Sequence, residues 1–100
     1  MSKNNIKRDP NRKPVHPGHL LRECALPHLQ MSQKVLADKL NLSRYMISQI
    51  LSERVSINAE ISLGLEIHVG STAEQWMRMQ IAHDVWIARR STNHIRSAMR

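Results

Sequence analysis

The chain has 100 residues, of which 41% are hydrophobic and none is phenylalanine. This length and composition predict a single helical domain with tails and argue against two independent folds. Fifteen Lys and Arg against eight Asp and Glu give a net charge of +7. Polyanions, either nucleic acid or an anionic membrane, are therefore the first partners to consider.

The sequence also predicts the compartment. No apolar run approaches the roughly 18 residues that cross a bilayer, and the polar, basic N-terminus lacks the apolar stretch of a signal peptide. We therefore expect a cytoplasmic protein with no membrane partner. The single cysteine, Cys24, fits a reducing compartment, and its helical spacing from Leu20 and Leu21 predicts a buried position.

The first segment, residues 1–14, is polar, rich in Lys and Arg, and contains two prolines, which predicts a flexible basic arm. The folded domain is expected over residues 15–90. Its first helix should follow Pro17 and Gly18, extend for about eight residues and end at Pro27.

Two short helices are predicted next, and they are separated by very few residues. Ser32 can cap a helix that ends at Leu40, where Asn41 tolerates the left-handed backbone that stops a helix. Ser43 can cap the following helix, whose inner face should consist of Met46, Ile47, Ile50 and Leu51. Two helices joined by so short a turn cross steeply, so residues 32–52 predict a helix-turn-helix.

A fourth helix should begin after Asn58 and stop at Gly70, with Ile61, Leu63, Leu65 and Ile67 as its apolar residues. Gly64 inside this helix suggests close backbone packing. The predicted fold class is therefore all-α, with a fifth helix at the C-terminal end.

The fifth helix is predicted over residues 72–90, with Ser71 and Glu74 as a capping box, and residues 91–100 form a basic tail. It is too apolar for one buried stripe, so a second face should meet another subunit. The predicted dimer interface consists of Trp76, Val85 and Trp86.

The second helix of the helix-turn-helix carries the candidate DNA-binding residues. The major groove admits one helix, and reading it requires side chains that donate and accept hydrogen bonds at base edges, flanked by phosphate contacts. No acidic residue occurs from 41 to 52, which favours this interpretation over an ordinary solvated face. The predicted contacts are Gln33, Ser43, Arg44, Tyr45, Ser48, Gln49 and Ser52.

An alternative from another class is a metal-dependent enzyme built on His16, His19 and Cys24, which lie close in sequence. No second cluster completes a four-ligand zinc site, and no carboxylate pairs with these residues at a catalytic spacing. We therefore predict no metal, no cofactor and no catalytic residue. The two tryptophans could stack on bases, but their apolar surroundings favour a core or dimer contact.

Three segments resemble the HigA family of antitoxins, within the lambda-repressor-like (XRE-type) helix-turn-helix proteins. HPGHLLRE (16–23) is similar to the opening signature of the family, and SQKVLADKLNLSRYMISQIL (32–51) is similar to its helix-turn-helix. AEQWMRMQIAHDVWIARR (73–90) resembles its closing helix, with Trp76, Gln80 and Asp84 in the characteristic places. The three segments are spread over residues 16–90 of the chain.

The resemblance implies a five-helix, lambda-repressor-like fold and a homodimer that represses its own operon by binding palindromic operator DNA. It also implies a RelE-like ribonuclease toxin as a partner, although no residue-level motif for the toxin surface transfers. Such toxins are typically basic, so a chain of charge +7 would need a local acidic or apolar patch to bind one. The alternative is a stand-alone or phage-type regulator without a toxin.

The sequence departs from the family pattern in two places. We call the second helix of the helix-turn-helix, which begins after Ser43, the reading helix. Glu53 stands where the family usually has glycine after this helix. The segment SINAEISLGLEIHVG (56–70) replaces a more regular, alanine-rich helix and contains Gly64, Glu66 and His68. Both departures are expected to change local geometry without changing the fold.

Overall fold

The computed structural model describes residues 12–98, and it describes side chains for residues 12–91. Most of the predicted basic arm and the side chains of the predicted basic tail after Ser91 lie outside this range. Within residues 12–98 there are five helices and no strand. They are α1 (residues 17–29), α2 (Gln33–Leu40), α3 (Arg44–Leu51), α4 (Ala59–His68) and α5 (Ala73–Ala98).

Helix α1 consists of an α-helical turn, Pro17–Leu20, a π-helical turn, Leu21–Ala25, and a second α-helical turn, Leu26–Leu29. The prediction that Pro27 ends this helix is wrong. The N–H of Leu26 bonds to the carbonyl of Leu21, five residues back, and Pro27 then lies at the start of the next turn. A proline is tolerated at the start of a helical turn because its fixed φ of about −65° suits the helix.

The predicted burial of Cys24 is also wrong, because its side chain is exposed. The prediction assumed the α-helical spacing of about 3.6 residues per turn. The π-helical turn, with its i→i+5 hydrogen bonds, is wider than an α-helical one and therefore changes which residues share a face. Cys24 consequently points to solvent, while Leu21 is buried in the core.

The core is formed where all five helices and the loop before α4 meet. Helix α1 packs on α3 and α5, α2 packs on α3 and α4, and α4 packs on α5. The buried hydrophobic residues are Leu21, Leu26, Leu36, Ala37, Ile47, Ile50, Leu51, Ile57, Leu65 and Trp76.

Gly18 sets the contact between α1 and α3. A Cβ at this position would overlap the carbonyl oxygen of Ile50, which belongs to the backbone of α3 and has little freedom to move. Glycine is therefore required so that the two backbones can touch.

Helix α4 buries Ser62 and exposes two of its large apolar residues. Ser62 is fully buried, and a Cβ at Gly64 would lie 2.5 Å from Cδ2 of Leu40 on α2, so the predicted close packing is present. Leu63 and Ile67, in contrast, are exposed. They do not belong to an inward apolar face, because the buried side of the helix is the one with Ser62 and Leu65.

Helix α5 begins one residue later than the predicted capping box requires. Ser71 has a left-handed backbone, with φ of 65°, and Thr72 is the residue that caps the helix. Its Oγ1 accepts a hydrogen bond from the N–H of Gln75 at 3.0 Å, and Oε1 of Glu66 accepts one from the N–H of Ala73 at 2.7 Å. The helix continues beyond the predicted end near residue 90, to Ala98.

Among residues 12–98, no helix combines the length and apolar character that a membrane span requires.

Candidate DNA-binding surface

The helix-turn-helix is held by two serine caps and one left-handed residue. Oγ of Ser32 accepts from the N–H of Val35 at 3.1 Å, and Oγ of Ser43 accepts from the N–H of Met46 at 3.0 Å. Asn41 between them has φ of 56°, as its sequence position predicted. The turn is closed by a 2.9 Å bond from the N–H of Leu42 to the carbonyl of Ala37. The predicted short turn is therefore confirmed by local hydrogen bonds.

Helix α3 presents two different faces. Ile47, Ile50 and Leu51 are buried against the core, as predicted, and Met46 is partly buried beside them. Helix α2 packs on α3, and its residues Leu36 and Ala37 are fully buried.

The predicted DNA-binding residues lie on the other face and at its edges. Tyr45 has 71% of its surface exposed, and Arg44 and Ser48 are exposed beside it at the start of α3. Gln49 is half-buried, and Gln33 is exposed in the first turn of α2. The structure thus places the predicted set on an outer surface. Their contacts with DNA bases or phosphates stay a prediction.

Two of the predicted serines already make hydrogen bonds within the chain. Ser43 accepts one at Oγ, so its hydroxyl hydrogen is still free to donate to a phosphate. Oγ of Ser52 instead donates to the carbonyl of Ser48 at 2.7 Å. Ser52 would have to rotate away from this bond to donate to a phosphate, which makes it the weakest member of the set.

The end of α3 explains the departure at Glu53. This residue has φ of 66°, a left-handed conformation that glycine adopts without strain, so a glycine would also suit this position. The Glu53 carboxylate lies 3.4 Å from the guanidinium of Arg22, which also donates to the carbonyl of Leu51. A cation near the last carbonyls of a helix is favourable, so Arg22 stabilises the C-terminal end of α3.

Behind the loop that follows α3, two histidine rings meet edge to face. His16 is the N-cap of α1; its Nδ1 accepts from the N–H of Gly18 at 2.8 Å. Its ring centroid is 4.9 Å from that of His83 on α5. Burial lowers the pKa of His16, and the neighbouring His83 lowers it further. The His16 ring is therefore expected to be neutral at physiological pH, and it packs edge to face against His83.

The metal-site alternative gains no support from this arrangement. Nδ1 of His16 is used to cap α1, Cys24 is exposed on the π-helical turn, and His19 lies beside Arg22. In the part of the chain that the structure describes, no three His, Cys, Asp or Glu side chains are grouped so that they could hold a metal ion.

The three residues predicted for the dimer interface have different surroundings. Trp76 is only 3% exposed, and its Nε1 donates to the carbonyl of Gly70 at 2.8 Å, so it belongs to the core of its own chain. Its assignment to the interface is corrected, because it offers almost no surface to a partner. Val85 is exposed, and Trp86 is half-buried with the Arg90 guanidinium 4.7 Å from its ring centroid.

A polar residue of α5, Gln80, lies in an apolar stretch of the sequence and has a structural role. Gln80 is buried, its Oε1 accepts from the N–H of Ile57 at 2.8 Å, and its Nε2 donates to Asp84 at 2.9 Å. Asp84 also accepts from the hydroxyl of Ser56. Gln80 and Asp84 therefore fix the loop between α3 and α4. The sequence predicted no such role and marked the two residues only as characteristic positions of the family.

Comparison with known proteins identifies the class. No protein-family model matches the chain. An addiction module antidote protein of a HigA family from Coxiella burnetii has the same fold, with a TM-score of 0.74 and 32% identity over 86% of this chain and 95% of that one. Antitoxin GraA, solved in complex with its operator, has a TM-score of 0.75 and 30% identity over 93% of each chain.

A sequence relative extends the comparison. Virulence-associated protein I of Dichelobacter nodosus is 35% identical over 81 residues, which are 81% of this chain and 75% of that protein. The five helices, the capped turn and the exposed face of α3 define a helix-turn-helix protein of the lambda-repressor-like class. Within that class, the chain belongs to the HigA family of antitoxins, which confirms the resemblance found in its three sequence segments.

Proposed function

We propose that this protein is an antitoxin that represses its own operon by sequence-specific binding to operator DNA, and that neutralises a RelE-like ribonuclease toxin. The observation that carries the proposal is the exposed polar face at the start of α3, held outward by the capped turn in a chain of the HigA family. The operator complex of GraA, a relative of the same fold, supports the DNA-binding part.

The side chains on this face suit the assigned roles. Arg44 can form a bidentate pair with guanine, and Gln49 can form one with adenine, through base edges in the major groove. Ser43 and Tyr45 flank them where phosphates or sugars would pass, and Ser48 lies between. Gln33 is in the first turn of α2, where free backbone N–H groups favour a phosphate.

A homodimer would present two reading helices to a palindromic operator, about one helical turn of DNA apart. The exposed side of α5 is the surface proposed for the subunit contact. Ile81 and Val85 lie on this side with 54% and 38% of their surfaces exposed. Trp86 follows Val85 by about 100° around the helix and is half-buried, so the exposed part of its ring is the part that could join the same contact.

The DNA-binding part is tested with Arg44→Ala in a gel-shift titration on the promoter of its own operon. The change should cost about 1 to 3 kcal/mol of binding and blur the sequence preference at one base pair of each half-site. Arg78→Ala is the matched control, because Arg78 is an exposed arginine on α5 outside the helix-turn-helix. Equal operator affinity for the two variants would contradict the reading-helix assignment.

The antitoxin part is tested by co-expression with the open reading frame that adjoins the gene, followed by pull-down and an assay of RNA cleavage. We expect a small ribonuclease to be captured and silenced, with Arg44→Ala retaining this activity. Absence of such a partner, with operator binding intact, would favour the stand-alone regulator.

A further inference from the structure

Helix α4 carries a surface that the DNA-binding proposal does not use. Glu60, Leu63, Glu66 and Ile67 all point to solvent. In a helix, residues three and four positions apart lie side by side, so Leu63 and Ile67 form an apolar pair with one glutamate on each side. We call these four residues the α4 outer face.

The apolar pair on this face is unusually open. Ile67 has 73% of its surface exposed and Leu63 has 53%. The aliphatic Ile67 is therefore as exposed as Tyr45 on the reading helix, at 71%. The helix cannot rotate to bury them, because Ser62 and Leu65 are buried on its inner side and Gly64 allows its close approach to Leu40 of α2. Two adjacent aliphatic side chains are thus held outward by the packing of the opposite face.

The charge around the pair restricts what can cover it. Between Arg54 and Arg78 the sequence contains three glutamates and no Lys or Arg, although the whole chain has a net charge of +7. Glu60, Glu66 and Glu74 are all exposed. Such a surface repels the phosphates of DNA and attracts a cationic protein surface that carries apolar groups of its own.

The proposed partner has this chemistry for a general reason. An enzyme that cleaves RNA must bind a polyanion, so its substrate-binding side carries Lys and Arg. We propose that the α4 outer face is the docking surface for the cationic ribonuclease partner, with Leu63 and Ile67 as apolar anchors and the glutamates as the surrounding charges. This inference rests on the proposed antitoxin function and assigns that function to specific residues.

The position of α4 is compatible with simultaneous DNA binding. Helix α4 packs on α2 and α5, and α2 in turn supports α3. The reading residues Arg44 and Ser48 and the anchors Leu63 and Ile67 therefore belong to helices that are separated by α2. Variants of the α4 outer face should consequently leave operator affinity unchanged.

The apolar anchors are tested with the double variant Leu63→Ser/Ile67→Ser, using the ribonuclease encoded by the adjoining reading frame as the probe. Loss of two central apolar anchors should weaken the complex at least about tenfold in Kd. Operator affinity within about twofold of the unchanged chain, by gel shift, would show that the variant is folded.

The charges are tested separately with Glu60→Lys, because Glu60 makes no side-chain bond that holds the fold within the described residues. We expect slower association and a loss of about threefold or more in affinity, which should shrink as salt is raised. Asp38→Lys is the matched control: it makes the same change of charge at an exposed site on α2, outside the α4 outer face. It should change the Kd for the ribonuclease far less.

The outcomes separate this inference from the proposed function. If the unchanged chain binds the ribonuclease and the double variant binds it equally well, the α4 outer face is not the docking surface, although the antitoxin function stands. If the unchanged chain binds no ribonuclease, the proposed function itself fails. If the double variant sediments as a monomer where the unchanged chain is a dimer, the face is a subunit contact and the docking proposal is overturned.

Discussion

The reading face of α3 and the outer face of α4 have opposite chemistry. Residues 41–52 contain no acid, and the exposed residues at the start of α3 are polar or cationic. Residues 55–77 contain no Lys or Arg, and the α4 outer face combines aliphatic side chains with glutamates. A net charge of +7 therefore conceals two local surfaces suited to different partners, and the helix between them, α2, contributes to the support of both.

The strongest way to break this arrangement is Gly18→Ala. The added Cβ would meet the backbone oxygen of Ile50, which no side-chain rotation can relieve. We expect a loss of about 3 kcal/mol or more in the free energy of unfolding, measured by urea denaturation. Operator binding and ribonuclease binding should both be lost, because α1 would no longer pack on α3.

Gly64→Ala is the matched comparison for that variant. Its Cβ would meet Cδ2 of Leu40, the end of a flexible side chain that can move. The strain should be offset by the gain of about 1 kcal/mol in helix propensity, so the net change is expected to be small. A larger loss for Gly64→Ala than for Gly18→Ala would contradict this account of the two contacts.

The next largest effect is expected from Gln80→Met, which affects the loop that joins the two surfaces. Methionine keeps the volume but leaves the buried N–H of Ile57 without an acceptor. The expected cost is about 2 kcal/mol in the free energy of unfolding, again by urea denaturation. Gln75→Met, at an exposed position of the same helix, should stay within about 0.5 kcal/mol of the unchanged chain.

A smaller effect should follow pH, through the histidine pair behind the same loop. Burial and His83 lower the pKa of folded His16, whereas Glu53 and Asp84 oppose this shift. Below the ordinary value of 6.5, the unfolded chain therefore binds more protons at this site than the folded chain. The contribution of His16 to stability is complete above that pH and is lost as the pH falls through the lowered folded pKa.

Urea midpoints measured from about pH 8 to about pH 5 would test this dependence. His16→Asn should flatten part of the slope, because asparagine can still cap α1 but does not titrate. An unchanged slope in that variant would assign the acid sensitivity to other groups.

The smallest effect is expected from Glu53→Gly, at the end of the reading helix. Glycine relieves the left-handed backbone at φ of 66° but removes the ion pair with Arg22. Strain of about 1 kcal/mol should outweigh a partly exposed pair of a few tenths, so thermal unfolding should show a slight stabilisation. Glu53→Ala, which loses the pair and keeps the strain, should instead be slightly destabilised.

Local signals in the sequence predicted much of the fold. The caps at Ser32, Ser43 and Asn58 and the left-handed Asn41 were correct, because each depends on hydrogen bonds within a few residues. The inner face of α3 was correct because its apolar spacing is clear. The position of the candidate site followed directly from these two features.

The predictions were wrong where packing between residues far apart in the sequence determines which side of a helix is buried. Helix α4 has aliphatic residues on all sides, so periodicity could not show that Ser62 and Gly64 would face inward and Ile67 outward. Trp76 was assigned to an interface because the apolar stretch of α5 does not show which side of the helix packs against the core of the same chain. The exposure of Leu63 and Ile67, which we propose as docking residues, was not predicted for the same reason.

The π-helical turn in α1 has a practical consequence for biophysical work. By turning Cys24 outward, it gives each chain one accessible thiol, and the sequence contains no second cysteine to compete for a reagent. A maleimide dye attached there would sit on α1, outside the reading helix and α4. Fluorescence from a single known position could then follow DNA binding and partner binding in the same sample.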